Sequence, residues 1–278
     1  MAAGPGPGRA LGGRAAHAAL KGAGANVDAT AVHTFAQLSG LLQLVVCVAV
    51  GGRLLLLARR TRRLPELAIG ISFYSQALLG HPLLLLSGLG GPRVDGVSLT
   101  LVAAGNAFLV LGTAMMNLFT WQVFRRGSPP ALALGVGCTL AVALQGMGAF
   151  AALASAPAGA RPAEVVHDFA SLLLLGSLST LAWASFESLA YHRRLQRRLA
   201  LGLADPVVAN RFLLWGLYGL MALAIVLAHA AVHLAGADSL ASPVAEVARG
   251  IGGLGCSAAV SLAFWPPARY ERWIRARA

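Results

Sequence analysis

Residues 208–235 read VANRFLLWGLYGLMALAIVLAHAAVHLA, and only Arg211 in that run carries a full charge. A helix that crosses a bilayer needs ~20 mostly apolar residues, whereas a helix on a soluble protein keeps one polar face. The run therefore predicts a membrane span. Six more stretches of the same kind lie at 34–58, 65–88, 97–124, 131–155, 168–191 and 246–266. The whole chain of 278 residues is 57% apolar and only 12% charged, about half the charged share of a globular protein. An outer-membrane barrel would alternate polar and apolar residues, and that alternation is absent. The predicted fold is all-α: a polytopic membrane bundle of seven transmembrane helices over 31–267, with a disordered N-terminal tail (1–30) and a basic amphipathic C-terminal tail (268–278).

The breaks between spans are short and turn-like or charged: ARRTRRLPE (58–66), GLGGPRVDG (88–96), RRGSPP (125–130), SAPAGARPAE (155–164) and AGADSLASP (235–243). Short connections make successive helices antiparallel neighbours. Pro65 and Pro206 suit first-turn positions, and Asp205 is a natural N-cap.

The net charge is +12, which suggests either a nucleic acid or a membrane surface. Position decides. Sixteen of the 22 basic residues fall on one side of the predicted bundle. They are Arg53, Arg59, Arg60, Arg62 and Arg63, then Arg125 and Arg126, then Arg193, Arg194, Arg197, Arg198 and Arg211, and last Arg269, Arg272, Arg275 and Arg277. The positive-inside rule places that side in the cytoplasm and the N-terminus outside. The charge records orientation, and no nucleic-acid partner is expected. The tail, FWPPARYERWIRARA, sets Trp265, Tyr270 and Trp273 among arginines, which suits anionic headgroups of the lipid bilayer at the cytoplasmic face. A cytoplasmic protein partner on the same arginines is the alternative. The location expected is a bacterial-type inner membrane.

Several classes drop out. Cys47, Cys138 and Cys256 sit in separate apolar runs without a Cys-x-x-Cys pair, so neither a disulfide framework nor a thiolate metal knuckle is expected. The first residues lack the continuous apolar segment of a signal peptide. Retinal needs a lysine in the last helix, and the sole lysine is Lys21. The Pro-Gln pairs of PQ-loop sugar transporters are missing.

Ionisable groups inside a membrane are costly and mark function. Arg53 lies near enough to the cytoplasmic boundary to snorkel. Glu187 is expected to pair at the interface with Arg193 or Arg194. Five of the seven histidines map to the outer half: His33, His81, His167, His229 and His233. His229 and His233 are ~40° apart on one helical face and ~6 Å apart along the axis, so together they can hold one metal ion. His81 supplies a third ligand from another helix. The set suits zinc, whose bound water can be a nucleophile; axial ligation of haem is the alternative. Glu164, Asp168, Asp238 and Glu246 lie at the same edge and can orient imidazoles. Tyr74, Asn106, Gln145, His167 and Asp168 are candidate lining residues of that outer pocket. Asn117, Thr120, Gln122 and Tyr191 make a second polar group toward the cytoplasm. Gly250, Gly253 and Ala258 of the last span permit close helix approach.

Ser75, His81, Asp95 and the late His229-Ala-Ala-Val-His233 pair resemble elements of the seven-helix membrane zinc hydrolases, alkaline ceramidases and adiponectin-receptor-like proteins. That resemblance implies a zinc-dependent hydrolase of lipid amides. The residues themselves predict a binding or sensing protein with an outward histidine pocket for a metal ion or small ligand, with a non-catalytic assembly subunit as the further alternative.

Overall fold

The computed structural model describes residues 10–89, 96–157, 162–235 and 242–277, with side chains over 30–87, 96–157, 176–232, 234–235 and 242–277. Among them the chain is helical without strands: α1 (Ala10–Thr61), α2 (Leu64–Phe73), a π-helical segment (Tyr74–Gly80), α3 (His81–Leu89), α4 (Gly96–Phe124), α5 (Pro129–Ala154), α6 (Pro162–Leu199), α7 (Pro206–Leu234), α8 (Pro243–Phe264) and α9 (Ala268–Arg275). Six helices among the described residues are long and apolar enough to cross a membrane; Leu64–Ser87, which runs through the π segment, counts as one. Their outward faces agree. Leu85 is 70% exposed, Leu144 68% and Met147 67%. Water would not tolerate so many large apolar side chains together, and lipid tails do. The chain is a multi-pass membrane protein. The expected span at 168–191 falls in α6, whose side chains are described from residue 176 onward.

Helix α1 begins at Ala10, inside the segment expected to be a disordered tail. The stretch is rich in alanine, the best helix former, and has no proline after Pro7. The connections behave as their residues dictate. Asp205 Oδ1 accepts from the Val207 N–H at 2.8 Å and so caps α7. Gly127 and Gly202 take the left-handed φ that the two turns require.

The π segment has a local cause. Pro82 lacks an N–H, and its ring would collide with the carbonyl four residues back. The helix widens just before it, and the His81 N–H bonds to the Gln76 carbonyl, five residues earlier.

The helices pack as a closed ring. Each span contacts the next in sequence, and α8 returns to pack along α1. Helix α4 also contacts α6. Lipid tails are as apolar as leucine, so helix association rests on close packing and polar contacts. The core shows both. Cys47, Val50 and Leu54 of α1 meet Ile69 and Phe73 of α2, Met116 of α4, Trp215 of α7 and Val260 of α8. Trp215 is the hub, with Phe73, Phe119 and Phe264 edge-on at centroid distances of 6.0, 5.8 and 5.7 Å. The three cysteines are free and buried.

Arginines finish the sixteen-residue basic end. Arg53 is exposed and lies over the Trp265 ring at 5.2 Å. Helix α9 buries Ile274 and docks on α7, where Tyr270 Oη accepts from Asn210 Nδ2 at 3.0 Å. Glu187 does form an interfacial ion pair, but with Arg125 Nε at 2.7 Å and not with Arg193 or Arg194. The end of α4 stands beside α6, so Arg125 reaches across, while Arg193 points about 120° away around the helix and Arg194 lies two turns further along.

Candidate functional site

At the end opposite the arginines, α8 opens with Ser242-Pro243-Val244-Ala245-Glu246. Glu246 is thereby set in the first turn, where free N–H dipoles favour a carboxylate. It is also buried, at 5% exposure. A buried charge survives only with partners. His33 of α1 supplies the first, its Nδ1 donating to Glu246 Oε1 at 2.8 Å. Arg249, one turn along α8, supplies the second at 3.9 Å. Arg249 then passes the contact on, since Nη2 donates to His229 Nε2 on α7 at 3.3 Å.

The tautomer of His229 follows from its other nitrogen. Nδ1 lies 2.8 Å from the Ile225 carbonyl. A carbonyl only accepts, so Nδ1 carries the hydrogen and Nε2 presents its lone pair to Arg249. His33, Glu246, Arg249 and His229 therefore form one polar chain that ties α1, α8 and α7 together. Glu246 was expected to orient an imidazole, and the imidazole it orients is that of His33.

The predicted ligand set is arranged differently. His81 is exposed on α3, and its Nδ1 donates to the Gln76 carbonyl at 2.8 Å. Helices α3 and α7 make no contact among the described residues, so His81 and His229 are not brought together. The side chain of His233 lies outside the described residues, as do those of His167 and Asp168. No group of three His, Cys, Asp or Glu side chains able to hold a metal ion occurs among the described residues.

The expected pocket residues serve helix seams. Tyr74 packs on Gly51 and Gly52 of α1. Asn106 Nδ2 donates to the Gly146 carbonyl of α5 at 3.4 Å. Gln145 is buried on the neighbouring α5–α6 seam, close to Gly176 of α6. Asn117 bridges α4 to α5, donating to the Gly135 carbonyl at 3.1 Å and to Thr139 Oγ1 at 3.0 Å. Ser75 is buried in the π segment while His81 is exposed, and Asp95 lies outside the described residues.

No family model, no curated protein and no solved structure matches the chain. What the site can do therefore rests on its own chemistry. Both ring nitrogens of His229 are engaged. A further proton at Nε2 would remove its lone pair and set an imidazolium against the Arg249 guanidinium. A proton on both nitrogens of His33 would make its contact with Glu246 a full ion pair.

Two parts of the site were not anticipated from sequence. Arg249 is one of the six basic residues left outside the arginine-rich end, and its place between Glu246 and His229 comes from the i, i+3 spacing on α8. The second is the pairing of His33 with Glu246, 213 residues apart. Both residues sit at span ends of equal depth, and that was the one available signal.

Proposed function

We propose that the protein is a binding or sensing protein of a bacterial-type inner membrane, with seven spanning helices, the N-terminus outside and the arginine-rich end in the cytoplasm. Its sensing element is the polar chain His33–Glu246–Arg249–His229. The observation that carries this reading is the buried Glu246, held between a cation of its own helix and an imidazole of another. Histidine is the side chain whose charge changes most readily near neutral pH, and the small ligand that suits this chain best is the proton. Protonation of His229 breaks its contact with Arg249 and loosens α7 from α8. Protonation of His33 tightens α1 on α8. One stimulus thus shifts the clamp from one helix pair to the other, and the three helices run through to the cytoplasmic side. His33 and His81 are each engaged through Nδ1, and a metal ion bound through His229 would need Arg249 to release it.

Spin-label distances between the outer ends of α7 and α8, taken at pH 8 and pH 5.5 in nanodiscs, test the reading. The distance should lengthen in acid in the wild type. It should stay fixed in His229→Gln, whose amide oxygen still accepts from Arg249 but takes no proton. An equal response in both proteins would refute the proton reading. Stoichiometric zinc or haem in the purified protein would replace it with ligation at the histidines. Reporter fusions at each terminus test the orientation.

A further inference from the structure

A second site lies at the other end of the bundle. α1, α2, α4, α7 and α8 line a half-open cavity of about 250 Å³. Its walls are mainly apolar, and four aromatic residues, Phe119, Phe212, Trp215 and Phe264, are among them. Two charged residues also reach it, Glu66 and Arg211. They are not equivalent. Arg211 is exposed at the end of the bundle, where solvent and counterions screen its charge. Glu66 Oε2 is shut away from solvent and has no hydrogen-bond partner. Among the described residues the Glu66 carboxylate makes no ion pair.

A buried carboxylate oxygen without a donor is expensive to keep. Pro65 precedes Glu66 in the first turn of α2, and the helix dipole offsets part of that cost. It does not supply the missing hydrogen. The cavity beside it has room for a molecule that would. Aromatic faces attract cations, tryptophan most strongly, and Trp215 stands with Phe119 and Phe264 at centroid distances of 5.8 and 5.7 Å. The volume falls below the ~300 Å³ at which pockets begin to take drug-sized ligands, so the occupant is small.

We infer that this cavity is a binding site for a small organic cation: a protonated primary amine that donates to the Glu66 carboxylate, with an aromatic or branched apolar body seated among Phe119, Trp215 and Phe264. Neutral molecules of the same shape would gain the apolar contacts without the charged hydrogen bond. Anions would face the Glu66 carboxylate.

The test uses the full-length protein in phosphatidylcholine nanodiscs, with empty nanodiscs as the blank. The probes are 2-phenylethylammonium, 2-phenylethanol and 3-phenylpropionate, titrated by calorimetry. The amine should bind about ten-fold more tightly than the alcohol, the difference expected of one charge-assisted hydrogen bond. The carboxylate should be the weakest. Glu66→Gln should bring amine and alcohol within about two-fold while leaving alcohol binding in place. Equal binding of amine and alcohol by the wild type would overturn the inference, and that comparison needs no variant to fold. So would preference for the carboxylate, which would make Arg211 the recognition group, and so would an amine preference that survives Glu66→Gln.

Discussion

Removing the carboxylate of Glu246 gives the most direct check on the polar chain at the histidine end. Its hydrogen bond with His33 is short, 2.8 Å, but the His33 side chain is 57% exposed. Hydrogen bonds to charged groups contribute about 1.5–3 kcal/mol when sheltered, and solvent screening brings this one to about 1 kcal/mol. The Arg249 contact is long, 3.9 Å, and adds about 0.5 kcal/mol. Truncation also leaves the partly buried Arg249 with His229 alone, which costs about another 0.5 kcal/mol. Glu246→Ala should therefore destabilise the protein by about 2 kcal/mol at pH 7, close to a thirty-fold shift in the folding equilibrium. Glu246→Gln keeps an acceptor for His33 and should cost about half as much. A double-mutant cycle of His33→Ala with Glu246→Ala isolates the pair and should return a smaller coupling than that of a fully buried ion pair, about 0.5–1 kcal/mol. Steric-trap unfolding in bicelles measures all of these. If Glu246→Ala lies within about 0.5 kcal/mol of wild type and the cycle returns zero coupling, the chain holds nothing together and the assignment of Glu246 as its centre is wrong. A Glu246→Leu variant separates the two roles of the residue. Replacing a buried ionic group by an apolar one can be neutral for stability, yet the acid response of α1 against α8 should vanish.

The seam between α5 and α6 gives a second check. A Cβ at Gly176 would lie 2.6 Å from Val142 Cγ2 and 3.0 Å from the Val142 backbone nitrogen, so Gly176→Ala should cost about 1–3 kcal/mol. Gly137 of α5 faces away from that seam, where an added Cβ has no atom within 4 Å, and Gly137→Ala should be neutral or mildly stabilising in the same unfolding assay. Loss of the α7 cap in Asp205→Ala should cost about 1 kcal/mol, read as faster hydrogen exchange over the first turn of α7. The Arg125–Glu187 pair is half exposed on the arginine side; Glu187→Gln should cost at most ~1 kcal/mol and progressively less as salt is raised.

How far the sequence could be read depends on which coordinate is asked for. Depth along the membrane normal was legible, because charge and apolarity change abruptly at the bilayer edge. Residues 34–58, 65–88 and 208–235 land on α1, the α2–π–α3 rod and α7, and His33, His229 and Glu246 come together at one end of the bundle. The direction in which a side chain points around its helix was not legible. A soluble helix announces its buried face through the polar residues opposite, but lipid is as apolar as a protein core, and that contrast is lost. This is why His81 and His229, equal in depth, were expected to meet and instead stand on helices without contact. It is also why the aromatic hub at Trp215 escaped notice, since Phe73, Phe119 and Phe264 look like any other apolar residues of their runs.

One azimuthal signal does survive in such a chain, and it lies in the glycines. Where packing takes the place of the hydrophobic effect, the face with no side chain is the face that meets a neighbour. Helix α8 carries GIGGLG over 250–255. Gly250 and Gly253, three residues apart, lie against Phe35 and Ser39 of α1. Gly252 and Gly255, also three apart, lie against Ile225 and Met221 of α7. Two interleaved i, i+3 pairs thus aim at two different helices, which seats α8 between α1 and α7. That placement is what lets Glu246 and Arg249, at the head of the same helix, take His33 from one neighbour and His229 from the other. The glycine spacing and the polar chain are two consequences of a single packing arrangement, so a bulky residue at Gly250 should uncouple His33 from Glu246 without touching either one.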